Sequence, residues 1–516
     1  MPHRSASVLV ALSLVLGGAA PLAAQPPAAA PPADKPPAGE KPPPKPAPEE
    51  RTSKTRHTAR IGGQEVRYTA TAGTLVLKAE DGTPQASIFH ISYTRDGEDP
   101  ARRPVTFTFN GGPGSSSVWL HLGAFGPKRV QMDAEGRALP PPYRLVDNEH
   151  SLLDVSDLVF IDPVSTGYSR PAPGKEAAEF HGVTEDVRSV AEFIRLWTTR
   201  NGRWASPKLL AGESYGTTRA AGLALHLQET HGMYLNGIAL VSSILMFQTA
   251  RFDVGNDLPY LLFLPTYTAT AWYHKRLPAE LQGDLKATLE EAERFALGDY
   301  AQALLQGNDL PEERRRAVAA QLARLTGLSP AYVEQVNLRP VIHPFTKELL
   351  RGQGLTVGRL DSRFTGVDRQ PAGDEPEFDP SMAAIEGPYT ATFNDYVRRE
   401  LRFEEDLRYR ILEGIRDWKP RDPGEYLNVA EDLRRAMAIN PALRVFVASG
   451  YYDLATPYFA TEYTLDHIGF EPAYEERTEV HEYEAGHMMY IRLADLAKLK
   501  SDLAGFLRRA VAGASE

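Results

Sequence analysis

The stretch PKLLAGESYG, Pro207–Gly216, constrains this chain more than any other part of it. A short apolar run that reads as a buried strand meets Gly212-Glu213-Ser214-Tyr215-Gly216. A helical pattern, TTRAAGLALHLQET, follows at once. A strand that turns directly into a helix belongs to an alternating α/β chain, in which the helix crosses back over one face of a sheet. Glycine on each side of the serine permits a sharp turn, which would lift the hydroxyl above the sheet and aim the positive end of the helix at it. That suits an attacking hydroxyl, and the same five residues also suit a plain tight turn.

The rest of the chain supports the alternation. Residues 58–79 alternate polar and apolar positions around Gly62-Gly63, which reads as a hairpin. Residues 86–94, 104–109 and 157–163 continue as strands. Val183–Arg200 places Val187, Val190, Ala191, Ile194 and Trp197 at helical spacing. Residues 237–243 and 443–449 are later strands. The expected fold is therefore α/β, with a mostly parallel central sheet and helices on both faces. From Phe252 to roughly Pro420 the character changes. Residues 278–305 and 310–329 read as charged surface helices, and no short strand is expected. This predicts a helical cap insertion at about 250–420.

The N-terminus reads as an address. Arg4 precedes an apolar core at Val8–Ala20, and Pro21–Gln25 offers a small-residue cleavage site. Residues 1–24 are expected to be a signal peptide, and residues 25–50, rich in Pro, Ala, Lys and Glu, a disordered linker. The folded domain is expected over 51–516. The chain has no cysteine, which fits a secreted or periplasmic bacterial protein held by a large core instead of disulfides. It also excludes thiol catalysis and cysteine-ligated metal. A net charge of −10 gives no support to nucleic-acid binding, and no later stretch is apolar enough for a stable membrane span.

A nucleophilic serine needs a base, and the base needs an orienting acid. The strand at 443–449 runs into GYYDLATP, which places Asp453 at a strand end. Further on, YEAGHMMYI places His487 in a glycine-containing loop before the final helix. The order Ser214, Asp453, His487 fits the sequence serine, acid, histidine. His481 is the rival histidine, but it falls inside the expected strand TEVHEYE. HEYEAGH is no zinc motif, because Ala485 stands where the second histidine would be needed. No metal or other cofactor is required. Charge that develops on a substrate oxygen needs donors. TFNGGPGSSS, Thr108–Ser117, follows the strand at 104–109, and its glycines let backbone amides approach a substrate closely. The N–H groups of Gly112 and Tyr215 are the expected pair.

FNGGPGSSS, FIDPVSTGYS, GESYG, GYYD and AGHM, in this order and spacing, resemble the serine carboxypeptidase family of the α/β-hydrolases. The resemblance covers about 105–243 and 443–490. It implies hydrolysis of the last peptide bond of peptides with a free C-terminus. It makes Ser214 the nucleophile, Asp453 the acid, His487 the base, and Gly112 and Tyr215 the oxyanion donors. Asn110, Gly111 and Glu213 match residues that bind the substrate's terminal carboxylate. A protonated Glu213 can donate to that carboxylate, whereas an ionised one repels it, which favours acidic pH.

The chain also departs from the family pattern. Thr108 stands where a tryptophan is usual and Ser115 where a cysteine is usual. Ala124 replaces a second glutamate that pairs with the first in many members. Hydrolysis by Ser214 is therefore a firmer expectation than strict C-terminal specificity. Another serine α/β-hydrolase (aminopeptidase, esterase or acyltransferase) and a binding protein with a decayed site are the alternatives.

Overall fold

Polar and apolar alternation at the start of the chain becomes an antiparallel edge. In the computed structural model, which describes residues 47–512 apart from 416, 470 and 471, strands β1 (Thr52–Ile61) and β2 (Gln64–Lys78) form the expected hairpin through Gly62-Gly63. β3 (Pro84–Arg95) pairs antiparallel with β2. The chain then supplies β4 (Val105–Phe109), β5 (Asp157–Ile161), β6 (Lys208–Ser214), β7 (Gly237–Ser243), β8 (Arg444–Gly450) and β9 (Thr478–Tyr483). The sheet runs β1-β2-β3-β5-β4-β6-β7-β8-β9, and a short strand at Arg170–Pro171 pairs with β3. From β5 to β9 every neighbouring pair is parallel.

Successive residues of these strands bury into opposite faces, as a period of two requires. Leu210, Ile238, Leu240, Val445 and Val447 pack in a core with helices α1 (Val183–Arg200), α2 (Tyr215–His231) and the helix Ala430–Ile439. Ala211, Ala239, Val241, Phe446 and Ala448 pack on the other face with the helices Pro380–Arg399 and Leu493–Val511. A mostly parallel sheet covered on both faces, with a serine turn after β6, is the α/β-hydrolase fold.

Between β7 and β8 the described residues add no strand to this sheet. Its helices Leu258–Tyr273, Leu285–Phe295 and Glu312–Thr326 build a third apolar core with Tyr452, Leu454 and Tyr458. Two sequence expectations fail here. Leu355–Val357 and Thr365–Val367 form a small antiparallel sheet, where no strand was expected. The helix expected over 278–305 is divided: Asp284 caps a new start, its side chain accepting from Ala287 N–H, and Gly298 leaves helical geometry.

The expected signal peptide at 1–24 lies outside the described residues, as does most of the linker expected at 25–50. The linker's end is not free. The Glu50 carboxylate accepts from Val76 N–H at 2.9 Å and from Arg200 at 2.8 Å, so the anchored chain begins before residue 51. No helix of the described residues is long and apolar enough to cross a membrane.

Candidate active site

Ser214 ends β6 and caps α2 with φ 59° and ψ −131°, a conformation that costs roughly 1–3 kcal/mol for a non-glycine residue and persists only where its surroundings impose it. The flanking glycines serve packing here. Gly212 and Gly216 do not take positive φ; Ser214 does. A Cβ on Gly212 would collide with the Gly216 carbonyl, and a Cβ on Gly111 would collide with the Tyr215 amide. The turn is thus closed from both sides by backbone that tolerates no side chain. This differs from the sequence expectation, in which the glycines supplied the turn's sharpness.

Arg219, one turn into α2, ties the turn to the loop after β4. It is 1% exposed and lies 5.3 Å from the ring centroids of both Phe109 and Tyr215. It donates to the Asn110 carbonyl and to the Asp186 carboxylate, each at 2.7 Å. Tyr215 opens α2, so its N–H is among those with no acceptor inside the helix. Gly112 has φ 103°. Both residues line a cleft of about 670 Å³ together with Ser214, Glu213, Asn110, Gly111 and His487. That volume falls in the usual range of small-molecule sites.

Asp453 and His487 arrive on the loops after β8 and β9. His487 Nδ1 lies 2.7 Å from Asp453 Oδ2 and donates to it, which leaves Nε2 as the acceptor. Asp453 is fully buried. Its Oδ1 accepts from the N–H groups of Ala455 (2.7 Å) and Thr456 (3.0 Å), and its Oδ2 accepts from the Thr456 hydroxyl (2.7 Å). The ring's own backbone is fixed as well: His487 N–H donates to the Leu360 carbonyl at 2.6 Å, and Ser242 donates to the His487 carbonyl at 2.6 Å. Burial pulls the imidazole pKa down. The Asp453 charge and hydrogen bond, with help from Glu213, outweigh burial and raise it above the ordinary value, while Arg359 opposes them.

His481 lies elsewhere. It stacks on Phe446 within the sheet and sits within 4 Å of Glu479 and Asp502.

Glu213 does not cap the helix. It is 3% exposed, on β6, and both of its oxygens are engaged. Oε1 accepts from Asn110 Nδ2 at 3.0 Å and Oε2 from the Tyr490 hydroxyl at 2.6 Å. Burial pushes its pKa up to about 7, against the opposing influence of His487, Tyr490 and Asn110. Ala124 is buried in the single helical turn Leu120–Phe125. Tyr389 and Tyr490 pack against Gly123 beside it. Tyr490 lies in YEAGHMMYI, three residues after His487, and nothing in that stretch points to its partner on β6. Among the described residues no cluster of three or more His, Asp or Glu side chains is arranged to hold a metal.

The serine carboxypeptidase family profile matches residues 65–302, the part of the chain that carries β2 through β7 and the serine turn. Over this stretch the chain resembles the serine carboxypeptidases. Similar proteins include the serine carboxypeptidase-like 45 of Arabidopsis thaliana, 28% identical over 33% of this chain and 36% of its own length. The lysosomal protective protein of Mus musculus is 22% identical over 78% of this chain and 79% of its own. The pheromone-processing carboxypeptidase KEX1 of Saccharomyces cerevisiae is 36% identical over 19% of this chain and 13% of its own. The match thus spans little more than a third of the plant carboxypeptidase-like relative. Among solved structures, an α/β-hydrolase fold protein from Chitinophaga pinensis superposes over 84% of this chain and 96% of its own, with TM-score 0.35 and 12% identity.

Proposed function

We propose that this protein is an exported serine carboxypeptidase that removes the C-terminal residue of peptides through an acyl-enzyme. The observation that carries the reading is the placement of a buried, doubly hydrogen-bonded Glu213 directly before Ser214, in the same cleft as the His487–Asp453 pair.

In this reading Ser214 Oγ attacks the last peptide carbonyl while His487 Nε2 takes its proton. The N–H groups of Gly112 and Tyr215 receive the charge that develops on the carbonyl oxygen. His487 then returns the proton to the departing amino group, and the terminal amino acid leaves. A water, deprotonated by the same ring, attacks the acyl-serine. The collapse of that second tetrahedral species frees the shortened peptide and restores the Ser214 hydroxyl. Asp453 holds the ring in the tautomer that accepts at Nε2 and steadies its positive charge.

The terminal carboxylate of the substrate is placed at Asn110, Gly111 and Glu213. Asn110 has a second N–H beyond the one given to Glu213. Below about pH 7 Glu213 is protonated and can donate the other hydrogen bond. The segment from about 250 to 420 acts as a cap, since Ile342, Arg359, Asp379, Met382 and Leu412 line the cleft. Export follows from the N-terminal pattern at Arg4 and Val8–Ala20.

The test is mass spectrometry of the products from one peptide offered with a free and with an amidated C-terminus. Stepwise loss from the free end only is expected. Loss from the amino end, or hydrolysis of esters alone, would replace this reading with another serine hydrolase activity.

A further inference from the structure

Charge is unevenly satisfied around the cleft. Among the described residues five charged side chains line it: Glu213, Asp379, Glu413, Arg251 and Arg359. The three carboxylates are engaged. Glu213 is held by Asn110 and Tyr490. Asp379 accepts from the backbone N–H groups of Arg359, Leu360 and Ser381 and from the Ser381 hydroxyl. Glu413 lies 3.1 Å from Arg408. Among the described residues neither Arg251 nor Arg359 makes a side-chain ion pair or hydrogen bond. Arg251 is exposed and rests 5.8 Å from the Phe247 ring centroid. Arg359 is half-buried. Glu375 borders an adjoining cavity that shares Arg359 and Asp379, but its side chain is 74% exposed and its near neighbour is His343, at 4.0 Å.

Arg359 is also held in place. Its carbonyl accepts from Leu454 N–H at 3.0 Å, one residue after Asp453, and its own N–H donates to Asp379 at 3.2 Å. The next carbonyl, that of Leu360, accepts from His487 N–H at 2.6 Å. The loop carrying this guanidinium is thereby joined to both loops that carry the acid and the histidine. It is close enough for its charge to act on the imidazole. A half-buried guanidinium on an anchored backbone, lining a cleft without an ion-pair partner among the described residues, presents a planar fork that matches a carboxylate.

We propose that Arg359 forms a subsite for an acidic side chain of the bound peptide, making glutamate or aspartate at the terminal or penultimate position a preferred substrate. The proposal rests on the carboxypeptidase reading, in which the terminal carboxylate itself is taken at Asn110 and Glu213. Arg251, on the same cleft, adds long-range attraction.

The experiment compares peptides that differ only by Glu or Gln at the last or the penultimate position, together with a neutral ester, on wild type, Arg359→Gln and Arg359→Lys. Wild type should prefer Glu to Gln at one of the two positions. Measured at a pH above the His487 titration, Arg359→Gln should lower kcat/KM for that Glu peptide by about tenfold or more, as loss of a charged hydrogen bond implies, while the Gln peptide and the ester change far less and by equal factors. Arg359→Lys should keep part of the preference. Equal losses on the Glu and Gln peptides, or no Glu preference in wild type at either position, would overturn the subsite. If no peptide is cleaved at all, N-acetylglutamate and N-acetylglutamine are compared as inhibitors of ester hydrolysis. Stronger inhibition by the glutamate that Arg359→Gln abolishes would retain the subsite while the carboxypeptidase reading falls. Equal inhibition by the two would remove both.

Discussion

The Tyr490 hydroxyl donates to Glu213 Oε2 at 2.6 Å across 277 residues of sequence. A phenol differs from a carboxyl in what it stabilises. It donates to the ionised form of Glu213, whereas two carboxyls share one proton. Tyr490 therefore favours the ionised form against the burial that favours the protonated one.

Replacing Tyr490 with Phe removes this donor and leaves the ring. Glu213 should then hold its proton to higher pH. The alkaline limb of kcat/KM on a free-acid peptide should move up, while a neutral ester, which does not need the Glu213 proton, should show no such alkaline shift. An unmoved peptide profile would mean that Tyr490 supports the site by packing alone.

Glu213→Gln tests the carboxyl itself. In the proposed reaction two titrations should bound the wild-type peptidase activity. His487 must be neutral to act as base and its pKa is raised, so activity is lost as pH falls through that value. Glu213 must be protonated to donate to the substrate carboxylate, so binding is lost as pH rises through about 7. An amide donates at any pH. The variant should lose the alkaline limb, and the change should appear mainly in KM for free-acid peptides. With no anion at residue 213 the histidine loses one of the influences that raise it, so the acid limb should also move to lower pH. A pH profile identical to wild type would rule out proton donation by Glu213.

What the sequence disclosed and what it withheld follow from the range of the interactions. β6, α2 and β7 were legible because a buried strand and an amphipathic helix each write a period into consecutive residues. The positions of Ser214, Asp453 and His487 were legible because each lies at or just after a strand end. The Tyr490–Glu213 bond has no such signature, since nothing near either residue refers to the other. Arg219 is similar: its carboxylate partner is on α1 and its carbonyl partner on the loop after β4. The strand Leu355–Val357 is three residues long, too short for alternation to register. The break at Gly283-Asp284 was readable as a cap but was outweighed by the helical composition around it.

Asp157 at the start of β5 is a second long-range device, and it bears on stability. It is 3% exposed and accepts from Arg103 and Arg203, each at 2.7 Å, both of which are themselves buried. Asp157→Ala would leave two guanidinium groups without a carboxylate in a place that water does not reach. A loss of about 3–5 kcal/mol of stability is expected, read as a lower midpoint in urea unfolding. Arg359→Gln, on a part-exposed loop, serves as the control and should change the midpoint little. A midpoint for Asp157→Ala within error of wild type would show that Arg103 and Arg203 find other acceptors.

The strongest demand falls on Asp453 and His487. If they serve Ser214 as a unit, Ser214→Ala and His487→Ala should each lower kcat by three orders of magnitude or more, by about the same amount, and the double variant should be no worse than either. Asp453→Asn is the more discriminating change. Its remaining oxygen can still accept from the Ala455 and Thr456 amides, so the loop should hold. Its new amide would donate to His487 Nδ1, which moves the ring proton to Nε2 and leaves no acceptor for the serine proton. A loss of about 10⁴ in kcat is expected, with an unchanged urea midpoint. Labelling by a fluorophosphonate probe should fall in parallel, because the probe also needs the activated hydroxyl. More than about 10% residual activity in Ser214→Ala or His487→Ala would remove the assignment, since the oxyanion donors and substrate binding alone sustain far less than that.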